Sequence, residues 1–124
     1  MSQNKKNKFF LRCLYITVKE GRRRRYIGFK ISSKTTNKYF EKDEIIDEIK
    51  IQCRTLFNKE CNQLGIYLIR LNEDQGIVRC KHIEKDNTIK LLRSIENISD
   101  EKVEVQTLGT SGTIKSLIKK HMNT

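Results

Sequence analysis

Between Arg22 and Met122 the spacing of apolar residues switches back and forth between a period of two and a helical period, and the order of those switches restricts the topologies open to the chain. The stretch RRRRYIGFKIS (22–32) alternates Ile27, Phe29 and Ile31 with Tyr26, Gly28 and Lys30, the pattern of a half-buried strand. Polar SSKTTNKY ends it. From Lys42 to Lys59, Ile45, Ile49, Cys53 and Leu56 recur at helical spacing, joined by Ile46 and Phe57. Asp43, Glu44, Asp47 and Glu48 fall in the first half of that helix, where negative charge suits the dipole. LGIYLIRL (64–71) is apolar on both faces, which predicts a strand covered on both sides or central in its sheet. NEDQG turns the chain and GIVRCKHI (76–83) returns it as a hairpin. Asp86 or Asn87 then caps a helix striped by Ile89, Leu92 and Ile95, with Leu91 beside the stripe. After SDE, KVEVQTL sets Val103 and Val105 against Glu104 and Gln106, a further strand. A closing helix from Gly112 to Met122 aligns Ile114, Leu117, Ile118 and His121.

Strand, helix, strand, strand, helix, strand is the order of the ferredoxin-like, split βαβ arrangement. The expected fold is therefore α+β: a four-stranded antiparallel sheet with two helices on one face. The spare C-terminal helix is amphipathic and suited to covering part of the other face. One domain over 22–122 follows from the length of 124 residues, preceded by a basic arm over 1–21 whose start, MSQNKKNK, is too polar to order itself. No apolar run reaches the length of a membrane span, and the N-terminus lacks the apolar core of a signal peptide, so a cytoplasmic location is expected. Cys13, Cys53, Cys61 and Cys80 include no C-x-x-C pair and read as small buried hydrophobes; with His82 and His121 as the histidines, no metal site is expected.

Charge is distributed unevenly. Residues 1–30 hold ten Lys or Arg against one acid, Glu20, and residues 112–124 hold three Lys and none, whereas 31–111 hold thirteen basic and fourteen acidic groups. The net charge of +11 thus sits at the two ends. A near-neutral body with basic ends points to a polyanionic partner, most often nucleic acid.

The C-terminal motif GTSGTIKS (109–116) comes within one residue of a phosphate-binding P-loop, with Ile114 where a glycine belongs. A β-branched residue there opposes close approach of phosphates, and too little chain follows to supply a magnesium-binding acid on a later strand. The stretch reads instead as a strand-to-helix turn. Gly109 and Gly112 are expected to meet backbone demands, Ser111 or Thr113 to cap the helix, and Ile114 to be its first core anchor. Exposed amides there, with hydroxyls and Lys115, suit one phosphate of a polymer. Four consecutive guanidinium groups, Arg22, Arg23, Arg24 and Arg25, repel one another and do little for stability, whereas their planar forks suit phosphate oxygens. GIVRCKHI carries no aromatic residue, so base stacking on the open sheet is disfavoured and contacts to phosphate and sugar are expected. His82 reads as a strand residue at a core edge, and no hydrolytic triad or two-carboxylate signature appears; no catalytic residue is expected.

GIVRC (76–80), followed some thirty residues later by SGTIK (111–115), with RRYI (24–27) opening the first strand, resembles the archaeal ribonuclease P protein component 2 family over roughly 14–120. LYITVKEG lacks the proline often found before the basic strand in that family, and NKECNQLG offers only Gly65 where several glycines are usual. The resemblance implies an α/β sandwich like the RNA-recognition motif and a noncatalytic subunit that braces the RNA removing 5′ leaders from precursor tRNA. It implies that magnesium ions bound by the RNA activate the attacking water, with no cofactor on this chain. It implies pairing with component 3, a TIM-barrel-like subunit, and joining of two such pairs through component 2. By motif, Arg79, Ser111, Gly112, Thr113 and Lys115, with Arg24 and Arg25, are the implied contact positions; Arg22, Arg23, Lys30, Lys119 and Lys120 complete the basic set expected to meet RNA. The competing expectation is an assembly adaptor with incidental basic ends.

Overall fold

The computed structural model describes residues 23–34 and 39–122, so the arm expected over 1–21, with Cys13, and Arg22 lie outside the described residues. In chain order the elements are β1 (Arg24–Ser33), α1 (Lys42–Phe57), α2 (Cys61–Leu64), β2 (Tyr67–Asn72), β3 (Gln75–Lys81), α3 (Lys85–Arg93), β4 (Asn97–Ile98), β5 (Glu101–Ser111) and α4 (Ile114–Leu117). A 3₁₀ turn, His82–Glu84, precedes α3, and α4 runs on into a π-helical turn, Ile118–Met122. The sheet order is β2-β3-β1-β5-β4, with every neighbouring pair antiparallel.

The four long strands, α1 and α3 follow the expected order, but among the described residues the sheet has five strands and not four. Ser99 and Asp100 both adopt positive φ, 49° and 68°, the conformation of a two-residue hairpin turn. That turn folds Asn97–Ile98 back onto Glu101 and Lys102, and Ile98 becomes fully buried. A strand of two residues is too short to show a period.

Ile27, Phe29 and Ile31 on β1 join Val78 and Cys80 on β3 and Val103 and Val105 on β5 in one core, covered by Ile45, Ile49 and Cys53 of α1 and Leu91 and Leu92 of α3. Helix α1 starts with a reciprocal capping box, in which the Glu44 side chain accepts from the Glu41 backbone N–H at 2.8 Å, and ends at Asn58 in the left-handed region. Leu56, expected on its buried stripe, is exposed, and half-buried Phe57 packs against the core in its place. In α3 the buried residues are Thr88, Leu91 and Leu92, and Ile89 is only half-buried. The cap also differs. The helix starts at Lys85 after Glu84, and Asn87 lies inside it, donating to Glu84 Oε1 at 2.9 Å. The 3₁₀ turn, which takes His82 and Ile83 out of the strand, moved that boundary.

LGIYLIRL does not lie centrally. Leu64 closes α2, and β2 is an edge strand with Tyr67 46% exposed. Its register to β3 shifts between Leu68 and Arg70, leaving Ile69 as a bulge. The extra residue lets Leu68 and Leu71 both pack on the core although they are three apart, so a one-sided strand looks apolar on both faces.

Cys53, Cys61 and Cys80 are free thiols, and Cys53 and Cys80 are buried. The Cys53 thiol, with its sulfur 3.0 Å from that of Cys61, is pushed up to about 12 from 9.0, by burial first and then by the Cys61 hydrogen bond. An unfolded thiol ionises near 9 while the folded one keeps its proton, so this contribution is fully present below about pH 9 and is lost as pH rises towards about 12. Between those limits the melting temperature of the parent chain is expected to fall more steeply with pH than that of Cys53→Ala, as parallel thermal melts would show.

Candidate nucleic-acid interface

Strand register assembles the site. Tyr67 on β2 faces Arg79 on β3, Arg79 faces Tyr26 on β1, and Tyr26 faces Ser111 on β5, a continuous row across four strands. Directly opposed residues share a face, and this row alternates with Ile27 and Val78 of the core, so it lies on the side away from α1 and α3. Arg24 and Lys81 form the next pair outward. Arg25 belongs to the opposite parity, yet its Nη1 would stand 3.1 Å from a Cβ on Gly112, so its guanidinium lies against the turn after β5. Arg23 continues the same edge, its carbonyl accepting from the His82 backbone N–H at 2.9 Å. RRYI and SGTIK, more than eighty residues apart in sequence, thus meet at one end of the sheet, with Arg79 of GIVRC between β2 and β1.

The near-P-loop forms a capped strand-to-helix turn. Thr113 is the N-cap: its Oγ1 accepts from the Ser116 N–H at 3.2 Å, while Ser111 Oγ accepts from the Thr113 N–H at 3.4 Å. These bonds engage the Thr113 and Ser116 amides; Arg25 lies against the turn and Lys115 falls in the first turn of α4. Ile114 is half-buried, and the fully buried anchor is Leu117. Gly109 and Gly112 do not serve backbone conformation, since neither has positive φ. Gly109 serves close approach, whereas a Cβ on Gly112 would meet only the tip of the Arg25 side chain. A Cβ on Gly109 would run into the His121 ring, and one on its cross-strand partner Gly28 would stand 2.6 Å from Met122 Sδ. The C-terminal segment therefore lies over part of the open face, as its amphipathic pattern predicts.

Not every expected residue joins the cluster. Lys30 sits at the far end of β1, its Nζ 3.9 Å from Asp74 Oδ2. Lys119 and Lys120 are exposed on the last turn, next to His121 and Met122, which cover Gly109 and Gly28. His82, in the 3₁₀ turn, has a buried Nδ1 without a hydrogen-bond partner among the described residues. Arg23, Arg24, Arg25 and Arg79 form no ion pair with a carboxylate among the described residues. Tyr26 and Tyr67 are functional candidates that reading β3 alone misses. The Arg79 guanidinium stands 5.2 Å from the Tyr67 ring centroid, a cation–π contact. Among the described residues no three His, Cys, Asp or Glu side chains cluster as a metal site, and no helix is long and apolar enough to cross a membrane.

The Rpp14/Pop5 family matches residues 25–122. Ribonuclease P protein component 2 of Pyrococcus furiosus is 35% identical over 104 residues, covering 82% of this chain and 84% of that protein. The protein of the same name from Methanosarcina barkeri is 24% identical over 101 residues, covering 81% and 73%. A chain in the cryo-EM structure of yeast ribonuclease MRP shares the fold, with a TM-score of 0.59 at 12% identity over 74% of this chain and 76% of that one.

Proposed function

Because the chain belongs to the Rpp14/Pop5 family, we propose that it is a noncatalytic, RNA-binding subunit of ribonuclease P, bracing the RNA that cleaves 5′ leaders from precursor tRNA. The observation that carries this reading is the meeting of Arg24, Arg25 and Arg79 with the Ser111–Lys115 turn at one rim, where none of the three arginines pairs with a carboxylate among the described residues. Guanidinium groups left without a carboxylate partner are suited to phosphate oxygens. Contacts to phosphate fix register and orientation without reading sequence, which suits a protein that braces a folded RNA. In this reading the RNA holds the magnesium that activates water, the chain works in the cytoplasm, and a TIM-barrel-like component 3 is its protein partner, two such pairs joining through this chain.

Affinity purification of the tagged full chain from its native host tests the proposal. A large structured RNA recovered together with a TIM-barrel-like protein is the expected result; protein partners recovered without RNA would favour an assembly adaptor and overturn it.

A further inference from the structure

Tyr67 joins two features that bracing alone does not require. On the open face it pairs with Arg79, and at the sheet edge it lines a groove of about 390 Å³ between α1, α2 and β2, whose walls include Ile49, Ile66 and Leu68. The ring is 46% exposed although it belongs to a β-strand, because β2 has no neighbour on its outer side in the described sheet. The buried Nε of Arg79 has no hydrogen-bond partner among the described residues. The contact it does make holds a flat cation against a flat ring.

An aromatic ring backed by a cation and lining a groove, with Arg24 and Lys81 the next opposed pair along β1 and β3, is the combination that binds single-stranded nucleic acid: the ring stacks a base and the cations follow the backbone. A duplex offers no free base face to such a ring. Resting on the reading of this chain as RNA-binding, we propose that Tyr67 and Arg79 form a stacking site for one unpaired nucleotide. The base lies on the exposed part of the Tyr67 ring, and the Arg79 guanidinium meets a neighbouring phosphate. The expectation that stacking is disfavoured was drawn from β3 alone; the register supplies the aromatic residues from β2 and β1.

The chain contains no Trp, so Tyr67→Trp introduces a single indole fluorophore at the site. Titration of the full-length variant with a short single-stranded oligouridylate is expected to quench that fluorescence, and an RNA duplex of equal length is not. In parallel, Tyr67→Ala is expected to weaken binding of the oligouridylate about 5- to 150-fold, while Tyr67→Phe, which keeps the ring, stays near the parent value. Unchanged single-strand affinity in a folded Tyr67→Ala chain, with structured RNA still bound, would overturn the stacking site and leave the functional reading intact. If the parent chain binds neither RNA, both fall.

Discussion

Replacing Arg23, Arg24, Arg25 and Lys115 together with alanine is expected to weaken binding to a structured RNA roughly 30- to 1,000-fold at low salt. The figure follows from four exposed charge contacts at roughly 0.5–1 kcal/mol each, the upper part of the range for surface ion pairs. All four residues lie at one end of the sheet, Arg23 just before β1, Arg24 and Arg25 at its start and Lys115 in α4 just after β5, so a single curved RNA backbone can span them. Phosphate contacts carry no base preference, and the loss is expected to be similar for RNAs of unrelated sequence when measured by filter binding. The chain stays folded, because these residues are exposed or half-buried and stand outside the core cluster. A loss confined to one RNA sequence would indicate base readout at this rim instead.

The largest expected effect on stability lies on the other face of β1. Phe29 is 1% exposed and faces Gly76 across the β1–β3 pair. A Cβ on Gly76 would stand 2.5 Å from Phe29 Cζ, 2.9 Å from Cε1 and 3.1 Å from the Arg70 carbonyl oxygen. The ring therefore fills the space that a side chain at position 76 would occupy, an aromatic residue covering a glycine across the strand. Phe29→Ala is expected to cost about 3–5 kcal/mol, through lost burial and the cavity left behind. Gly76→Ala is expected to cost about 1–3 kcal/mol through overpacking, since neither the buried ring nor the Arg70 backbone moves freely. The two changes share one volume, so the double variant is expected to be more stable than additivity allows, by about 1 kcal/mol in denaturant melts. The Arg70 carbonyl contact survives in the double variant and keeps the relief partial.

How far the sequence disclosed this structure depends on whether a feature is local. The alternation of Ile27, Phe29 and Ile31 and the helical spacing of Ile45, Ile49 and Cys53 are properties of single segments, and both are buried as read. Strand β4 escaped because its two residues are held by a turn of non-glycine residues at positive φ, which carries no glycine signal. Strand β2 looked central because the Ile69 bulge disguises its parity. Among candidate site residues, Arg24, Arg25, Arg79 and the Ser111–Lys115 turn were visible as charge and motif, but not their meeting. That depends on which strands are neighbours and on the pairing of Tyr26 with both Arg79 and Ser111. The same pairing explains why the tyrosines were missed: neither lies on β3, and a ring beside an arginine in space leaves no local trace. Gly28 and Gly109 show the converse. As sequence Gly28 is one position of a strand and Gly109 suggests a turn, and only the Met122 and His121 side chains above them give their reason.

Neutralisation of RNA phosphates by the basic rim is read from the salt dependence of binding. Each phosphate contact releases condensed counterions, so the slope of log affinity against log salt counts the contacts, at roughly 0.7–0.9 apiece. In the variant lacking Arg23, Arg24, Arg25 and Lys115 the slope is expected to be shallower than in the parent chain by roughly 3, four times that value. Parallel slopes for the two proteins on the same structured RNA would contradict it.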